Sequence, residues 1–288
     1  MNSNIKYQIS TIQSQLESAY PADEAEALAW WIAEELTGLS RTQLQIGCKD
    51  TTFFANMQKI QPIIDRLLHF EPIQYIFGHT LWAGLDLKLT PATLIPRPET
   101  AELVERINDQ MVNDQMVNVL DIGTGSGCIA IALKKAHPEW QVTGIDISAE
   151  AIEVARENAK RNNVEVDFYV ADIFNLQSPI TNHQSPITNH QYDVVVSNPP
   201  YVRESEKVSM NPNVLDYEPA SALFVPDDDP LRFYRRIAEL RLGRQLFFEI
   251  SEYFSDEIED LLHQSGYTDI HTCRDIYGKP RITTGKLL

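Results

Sequence analysis

Cysteine is scarce in this 288-residue chain. The three cysteines are Cys48, Cys128 and Cys273, and no two of them have the Cys-x-x-Cys spacing of a zinc or redox site. The seven histidines form no ligand pattern either. A disulfide framework and a structural zinc site are therefore both disfavoured, and we expect reduced thiols and no bound metal.

Long apolar runs and basic residues are also in short supply. No run approaches the length of a membrane span, and residues 1–20 lack the apolar core of a secretory signal. The chain has 24 Lys and Arg against 41 Asp and Glu, for a formal net charge of −17. Because a net-acidic surface repels nucleic-acid phosphates unless a basic groove overrides it, we expect no stable nucleic-acid binding. The expected protein is a cytoplasmic monomer without membrane attachment.

Three regions differ in the periodicity of their apolar residues. Helical spacing runs through 1–72, where Pro21 opens a predicted helix and Gly38 ends it. Short β-like runs follow from Ile73 to Leu89 around Ala83-Gly84, which favours a hairpin. We predict a small helical bundle at 1–72, a β-hairpin linker at 73–92 and a larger domain at 93–288.

Two perfect tandem repeats interrupt the third region. Residues 108–117 are Asn-Asp-Gln-Met-Val twice over, and residues 178–191 are Ser-Pro-Ile-Thr-Asn-His-Gln twice over. Neither repeat has the length of a solenoid unit, and their polar composition suits loops. We predict that both are insertions tolerated at the surface, so that His183 and His190 reflect duplication and not a metal pair.

Around these repeats, β-like and helical segments alternate. This alternation predicts an α/β fold with a doubly wound, Rossmann-like sheet. The predicted helices cover 98–109, 128–136, 148–162, 233–240 and 255–264. The predicted strands cover 118–122, 142–146, 164–170, 194–196 and 246–250, followed by an antiparallel pair at 270–273 and 282–284.

The carboxyl ends of these strands carry the candidate ligand site. The loop Gly123-Thr124-Gly125-Ser126-Gly127 follows the first strand, Asp146 ends the second and Asp172 follows the third. Glycines let backbone approach a ligand, and Asp146 can accept both hydroxyls of a ribose. Cys128 stands where the dinucleotide fingerprint has its third glycine, which disfavours a pyrophosphate. S-adenosylmethionine fits this pattern, with its ribose on Asp146 and its adenine near Asp172; for either acid alone, a solvated carboxylate or a helix cap is the alternative.

The fourth strand ends in Asn198-Pro199-Pro200-Tyr201. Each proline fixes its own φ and restricts the residue before it, so Asn198 and its neighbouring carbonyls have little freedom. A carboxamide oxygen and a proline-flanked carbonyl together can accept both hydrogens of a planar amino group. We predict that these four residues position a methyl acceptor; the alternative is a Pro-Pro turn that only closes a strand.

Six segments, taken in order, resemble one enzyme family. They are residues 94–100, 119–130, 197–202, 217–219, 247–250 and 275–281. Together they are similar to the release-factor glutamine methyltransferases, often called PrmC or HemK. The resemblance covers about residues 70–288, and the helical N-terminal region is compatible with that family's substrate-recognition domain.

The resemblance implies a class I methyltransferase sheet and a defined reaction. In that reaction, S-adenosylmethionine methylates the side-chain N5 of the glutamine in the Gly-Gly-Gln loop of class 1 peptide chain release factors. Carried over by position, the cofactor residues are Gly123, Thr124, Gly125, Ser126, Gly127, Asp146, Asp172, Ile173 and Asn198. The substrate residues are Asn198, Pro199, Pro200, Tyr201 and Arg97. The chain departs from the family after Ile250, where Ser251-Glu252-Tyr253 replaces the usual glycine and glutamine-containing turn.

Two other functions are compatible with parts of this pattern. A DNA or RNA amino-methyltransferase needs the same Asn-Pro-Pro-Tyr corner, but it also needs a basic stripe that this sequence lacks. A catalytically idle protein-binding module would use the helical bundle and keep the sheet as a scaffold. Intact Gly123, Asp146 and Asn198 argue against the idle module.

Overall fold

The computed structural model describes residues 2–46, 57–111, 116–176 and 192–287. The chain forms two compact units, one of Met1–Gly78 with Pro212–Tyr217 and the other of His79–Asn211 with Glu218–Leu288. Cys48 and the repeat at 178–191 lie outside the described residues. Within the described ranges, no helix has both the length and the apolar character needed to cross a bilayer.

The smaller unit is a cluster of helices around an apolar core that includes Leu16, Ile32 and Leu67. Gly38 ends the second helix in the left-handed conformation, with φ 69°, as its position in the sequence predicts. A single helical turn at Pro212–Leu215 belongs to the same unit. The other helices are α1 (Asn2–Leu16), α2 (Ala22–Thr37), α3 (Arg41–Ile46), α4 (Met57–Leu68) and α5 (Ile73–Phe77).

Helix α5 corrects one prediction, because Ile73 to Phe77 was expected to be β-like. Five apolar residues are too few for periodicity to separate a strand from one helical turn. The flanking residues decide the outcome. Pro72 stands at the N-cap, and Gly78 takes φ 75° at the C-cap, where the backbone must turn left-handed.

The predicted hairpin is confirmed as strands β1 (His79–Trp82) and β2 (Leu85–Lys88). Ala83 and Gly84 both have positive φ, 47° and 75°, as a tight two-residue turn requires. Two asparagines of a later helix then bind the backbone of β2. Lys88 N donates to Asn158 Oδ1 at 2.6 Å, and Asp86 N donates to Asn162 Oδ1 at 3.2 Å. These side chains satisfy backbone groups that an exposed edge strand would leave unpaired.

The larger unit contains a seven-stranded sheet with flanking helices, which confirms the predicted α/β fold. Its strand order is β8-β9-β7-β6-β3-β4-β5, in which β9 runs antiparallel to both of its neighbours and the other pairs are parallel. The strands are β3 (Asn118–Ile122), β4 (Gln141–Asp146), β5 (Asp167–Val170), β6 (Tyr192–Ser197), β7 (Gly243–Glu249), β8 (Tyr267–Arg274) and β9 (Pro280–Leu287). The helices are α6 (Pro98–Gln110), α7 (Cys128–Ala136), α8 (Ala149–Arg161), α9 (Arg232–Leu240) and α10 (Ser255–Gln264), with a 3-10 helix at Glu204–Ser209 and a short helical turn at Ala220–Leu223.

Strand register brings the predicted site residues to one edge of this sheet. Ile122 at the end of β3 pairs with Ile145 on β4 and with Ser197 on β6. Ser197 in turn pairs with Phe248 on β7. The residues that follow these strands therefore meet at the carboxyl edge, which is where parallel sheets bind ligands.

The first repeat corrects the expectation that residues 108–117 form a surface insertion. Its start lies in helix α6, and residues 112–115 lie outside the described residues. Met111 and Val117 are buried in the core of the larger unit, whereas Met116, the second copy's counterpart of Met111, is 73% exposed. Composition alone predicted a loop; the neighbouring helix and strand instead bury the two ends of the repeat.

Candidate active site

A cavity of about 490 Å³ opens at the carboxyl edge of the sheet. This volume is typical of a small-molecule site. Its walls are mainly apolar, with a few polar groups at the strand ends. The predicted site residues among its lining are Gly123, Gly125, Asp146, Asp172, Ile173, Asn198, Pro199 and Pro200.

The glycine loop between β3 and α7 lies against the end of β4. Gly123 N and Thr124 N both donate to Ile145 O at 2.9 Å, which holds the loop against β4. Gly127, at the N-cap of α7, takes φ 81°, and a Cβ there would lie 3.0 to 3.2 Å from three side-chain carbons. Only glycine fits both the conformation and the space at that position.

Asp146 lies at the cavity end of β4 with both carboxylate oxygens engaged by backbone. Its Oδ2 accepts from Gly125 N at 2.9 Å, and its Oδ1 accepts from Ser148 N at 2.9 Å. Burial raises the pKa of Asp146, and these backbone hydrogen bonds oppose that rise. Each oxygen keeps a further lone pair, so the carboxylate can accept from ribose hydroxyls while it continues to hold the loop.

Asp172 begins a tight turn that forms another wall of the cavity. Its Oδ1 accepts from Phe174 N at 2.9 Å, and its Oδ2 accepts from Asn175 Nδ2 at 2.7 Å. The turn is anchored to α9, because Arg236 Nε donates to Ile173 O at 2.9 Å. Asp172 therefore shapes the backbone of the wall to which Ile173 belongs.

Asn198 follows β6 on the opposite side of the cavity. Its Nδ2 donates to Thr100 Oγ1 at 3.2 Å, and that hydroxyl donates to Glu249 Oε2 at 2.7 Å. Pro199 and Pro200 also line the cavity. Side chains of α6 and β7 thus hold the Asn198 corner in place.

Several predicted site residues do not line the cavity. Thr124 is buried beneath the loop, where its hydroxyl donates to Asp121 Oδ2 at 2.6 Å. Ser126 and Gly127 continue the loop into α7 without reaching the cavity wall. Tyr201 turns its hydroxyl toward Glu249 Oε1 at 3.4 Å.

Arg97 is also absent from the cavity lining. It forms an ion pair with Glu218 instead. Its Nη2 lies 2.5 Å from Oε1 of Glu218, whose side chain is only 1% exposed. The other oxygen of Glu218 accepts from Ile95 N at 3.1 Å. This carboxylate therefore joins the segment before α6 to Pro219 and the turn after it, and both segments border the cavity.

Thr100, Glu218 and Glu249 are the polar residues that sequence reasoning missed. All three are buried at 6% exposure or less and bridge segments far apart in the chain. All three lie within motifs whose order was informative, Thr100 at the end of 94–100, Glu218 within 217–219 and Glu249 within 247–250. Their position in those motifs was the available signal; their contact with each other was not visible in the sequence.

The rim beside Glu249 carries the departure from the family pattern. Glu252 pairs with Lys279 Nζ at 2.8 Å, which ties the turn after β7 to the turn between β8 and β9. Tyr253 beside it is 62% exposed. As for metals, the parts of the chain that the structure describes contain no group of three or more His, Cys, Asp or Glu arranged to hold an ion.

Comparisons with known proteins place this chain in a family. The model of the PrmC N-terminal domain matches residues 9–78, and the model of the methyltransferase small domain matches residues 99–215. A release factor glutamine methyltransferase of Bacteroides thetaiotaomicron is 43% identical over 95% of this chain and 96% of its own length. A protein of the same name from Flavobacterium psychrophilum is 39% identical over 96% of each chain. The chain belongs to the release factor glutamine methyltransferase family.

Solved structures support the fold independently of this family. The catalytic domain of human METTL16 in complex with the MAT2A 3′UTR hairpin 6 superposes with a TM-score of 0.54, over 71% of this chain and 76% of that one. The N-terminal domain of human METTL16 in complex with SAH gives 0.50, again over 71% and 76%. Their identities to this chain are 16% and 17%, so these two matches show a shared class I methyltransferase fold and nothing about substrate.

Proposed function

We propose that this protein methylates the side-chain N5 of the glutamine in the Gly-Gly-Gln loop of class 1 peptide chain release factors, with S-adenosylmethionine as the methyl donor. The observation that supports this most directly is a single cavity lined by both Asp146 and Asn198. One residue suits a nucleoside and the other suits a planar amide. Family membership favours glutamine as the amide.

The cavity suits S-adenosylmethionine in shape and in chemistry. The open backbone at Gly123, where an added Cβ would meet nothing within 4 Å, leaves room for the methionyl part. Asp146 would accept from the ribose hydroxyls, and the wall at Ile173 would hold the adenine. Thr124, Ser126 and Gly127 hold the loop from behind instead of touching the cofactor. When bound, S-adenosylmethionine supplies an electrophilic methyl group on a sulfonium.

The protein's part in the reaction is to orient a poor nucleophile. A primary amide nitrogen delocalises its lone pair into the carbonyl, so it must be held in line with the S–CH3 bond. Asn198 Oδ1 and a carbonyl of the Pro199-Pro200 segment accept from its two hydrogens. Held in this way, the amide nitrogen would be in position to take the methyl group that bound S-adenosylmethionine supplies, and it would release one proton to water. Tyr201 and Arg97 act from outside the cavity, by packing the corner and the adjacent segment.

The remaining assignments follow from this activity. We propose that the helical region, residues 1–72 extended by helix α5, recognises the release factor, that the β1–β2 hairpin region up to residue 92 is the linker and that 93–288 carry out methyl transfer. We propose that the protein acts in the cytoplasm and as a monomer. Its net charge of −17 opposes stable binding to nucleic acid.

Transfer of labelled methyl groups tests this proposal against its rivals. Wild-type enzyme is incubated with labelled S-adenosylmethionine and, in parallel, a class 1 release factor, the same factor with its loop glutamine changed to alanine, RNA or DNA. We expect label only in the unmodified factor. Greater labelling of RNA or DNA would favour a nucleic-acid enzyme, and failure to bind S-adenosylmethionine in a titration would favour an idle module.

A further inference from the structure

A chain of hydrogen bonds supports the Asn198 side chain from behind. We name it the relay, and it consists of the Asn198 carboxamide, the Thr100 hydroxyl and the Glu249 carboxylate. Asn198 Nδ2 donates to Thr100 Oγ1 at 3.2 Å, and Thr100 Oγ1 donates to Glu249 Oε2 at 2.7 Å. Thr100 is 2% exposed and Glu249 is 1% exposed, so water does not compete for these bonds.

The relay has a direction, because each member has a limited set of donors and acceptors. An ionised carboxylate only accepts hydrogen bonds, and a hydroxyl has a single hydrogen. Above its raised pKa of about 7, Glu249 is ionised and takes the hydrogen of Thr100, which leaves that hydroxyl only lone pairs to offer Asn198. A carboxamide facing lone pairs must present its NH2 group, so its oxygen points away from Thr100.

We propose that Thr100 and Glu249 are positioning residues that fix the Asn198 carboxamide with its oxygen, and not its nitrogen, facing the methyl acceptor. This inference rests on the proposed function, since only a donor such as an amide NH2 requires an acceptor there. The oxygen and NH2 ends of a carboxamide have nearly the same shape, so packing alone does not determine which end faces the methyl acceptor. The polarity of the relay does.

The surroundings of the relay keep both supporting residues in place. Thr100 lies in the first turn of α6, two residues after the helix-starting Pro98. Glu249 ends β7, its Oε1 accepts from Tyr201 OH at 3.4 Å, and its backbone oxygen accepts from Tyr234 OH at 3.0 Å. The nearby Arg281 already pairs with Asp275 at 3.2 Å, so replacing Glu249 does not leave this cation alone.

A double-mutant cycle in the full-length enzyme, assayed above about pH 7 where Glu249 is ionised, tests the relay. Thr100→Val removes the hydroxyl at constant shape and frees the carboxamide to invert. Glu249→Met removes the acceptor of the Thr100 hydrogen. The hydroxyl then donates to Asn198 Oδ1, which favours the inverted carboxamide. We expect kcat to fall roughly 10- to 100-fold in each variant, somewhat less than for outright loss of a preorganised group, with affinity for S-adenosylmethionine nearly unchanged.

The double variant separates a relay from two independent structural losses. Without the hydroxyl, Glu249 has no means of acting on Asn198, so Thr100→Val with Glu249→Met should be as active as Thr100→Val alone. Thr100→Ser, which keeps a hydroxyl, should recover most of the rate. Thr283→Val is the matched control, because Thr283 is buried and hydrogen-bonded to Thr272 at 2.8 Å within β8 and β9, away from the cavity. Multiplicative effects of the two mutations, or single variants with normal kcat, would overturn the inference.

A second measurement does not depend on the substrate. In enzyme labelled on asparagine amides and threonine methyls, NMR should show a nuclear Overhauser effect between the Asn198 Hδ2 protons and the Thr100 methyl, and Glu249→Met should abolish it. If the effect is present but wild-type enzyme does not methylate a release factor, the proposed function fails and the relay stands. If it is absent in wild-type enzyme, the relay is wrong whatever the substrate.

Discussion

Asp146→Ala is the change that tests the cofactor site most directly. The carboxylate is half-buried and lines the cavity at the end of β4. Hydrogen bonds to a charged group contribute about 1.5 to 3 kcal/mol. Loss of those to the ribose should therefore weaken S-adenosylmethionine binding roughly 10- to 150-fold.

The same substitution also removes two bonds within the protein. Gly125 N and Ser148 N each lose an acceptor 2.9 Å away. Because burial raises the pKa of Asp146, removing its charge offsets part of that loss, and we expect only a small change in melting temperature. Asp146→Asn retains one acceptor oxygen and should bind S-adenosylmethionine with intermediate affinity.

Isothermal titration calorimetry of the three proteins measures these differences. Asp167→Ala is the control, since Asp167 is an exposed acid at the start of β5 and does not line the cavity. Wild-type affinity in Asp146→Ala would remove Asp146 from the site. A large loss of thermal stability together with weak binding would mean that the residue acts through the loop and not through the ribose.

Three further predictions concern catalysis, packing and pH. Asn198→Ala should slow single-turnover methyl transfer roughly 10²- to 10³-fold while keeping S-adenosylmethionine affinity within several-fold of wild type. Asn198→Asp should have a milder effect, because a carboxylate still accepts hydrogen bonds. A normal rate in the alanine variant would contradict the role of the corner. Met111→Ala should lower the free energy of unfolding by about 2 to 4 kcal/mol. Met116→Ala, in the second copy of the repeat, should change it by less than about 0.5 kcal/mol. Equal effects of the two substitutions in denaturant titrations would show that burial does not distinguish the copies. Burial raises the pKa of Asp121 and of Glu249 to about 7, so the folded state holds protons that the unfolded state releases near pH 4, and stability should fall as pH rises from about 5 to 7. Glu249→Gln should flatten that fall in melting temperature, and an unchanged slope would contradict the raised pKa.

The layout of the sheet was predictable because it depends on local patterns. The end of β3, the glycine loop and Asp146 at the end of β4 all stand where alternation and strand-end reasoning place them. The rigidity of the Asn198 corner followed from proline stereochemistry, and the strand-end pattern upstream favoured a site there over a simple Pro-Pro turn. The hairpin was also predictable, because short β-like runs stand on both sides of Ala83-Gly84.

What escaped prediction depends on contacts between distant segments. Thr100 and Glu249 are 149 positions apart and meet only because α6 packs beside β7. Asn158 looks like any helix-surface asparagine until β2 lies against it. Met111 looks like part of a polar repeat until the core encloses it. No single-chain pattern encodes such pairings, because each requires the fold to be known first.

Mass analysis of a class 1 release factor, after incubation with the enzyme and S-adenosylmethionine, tests the central proposal most directly. Peptides that span the Gly-Gly-Gln loop are fragmented before and after the reaction. We predict the added mass of one methyl group on the side chain of the loop glutamine, present with wild-type enzyme and strongly reduced with Asn198→Ala. An unmodified loop, or a methyl group on any other residue, would contradict the assignment of this site to glutamine.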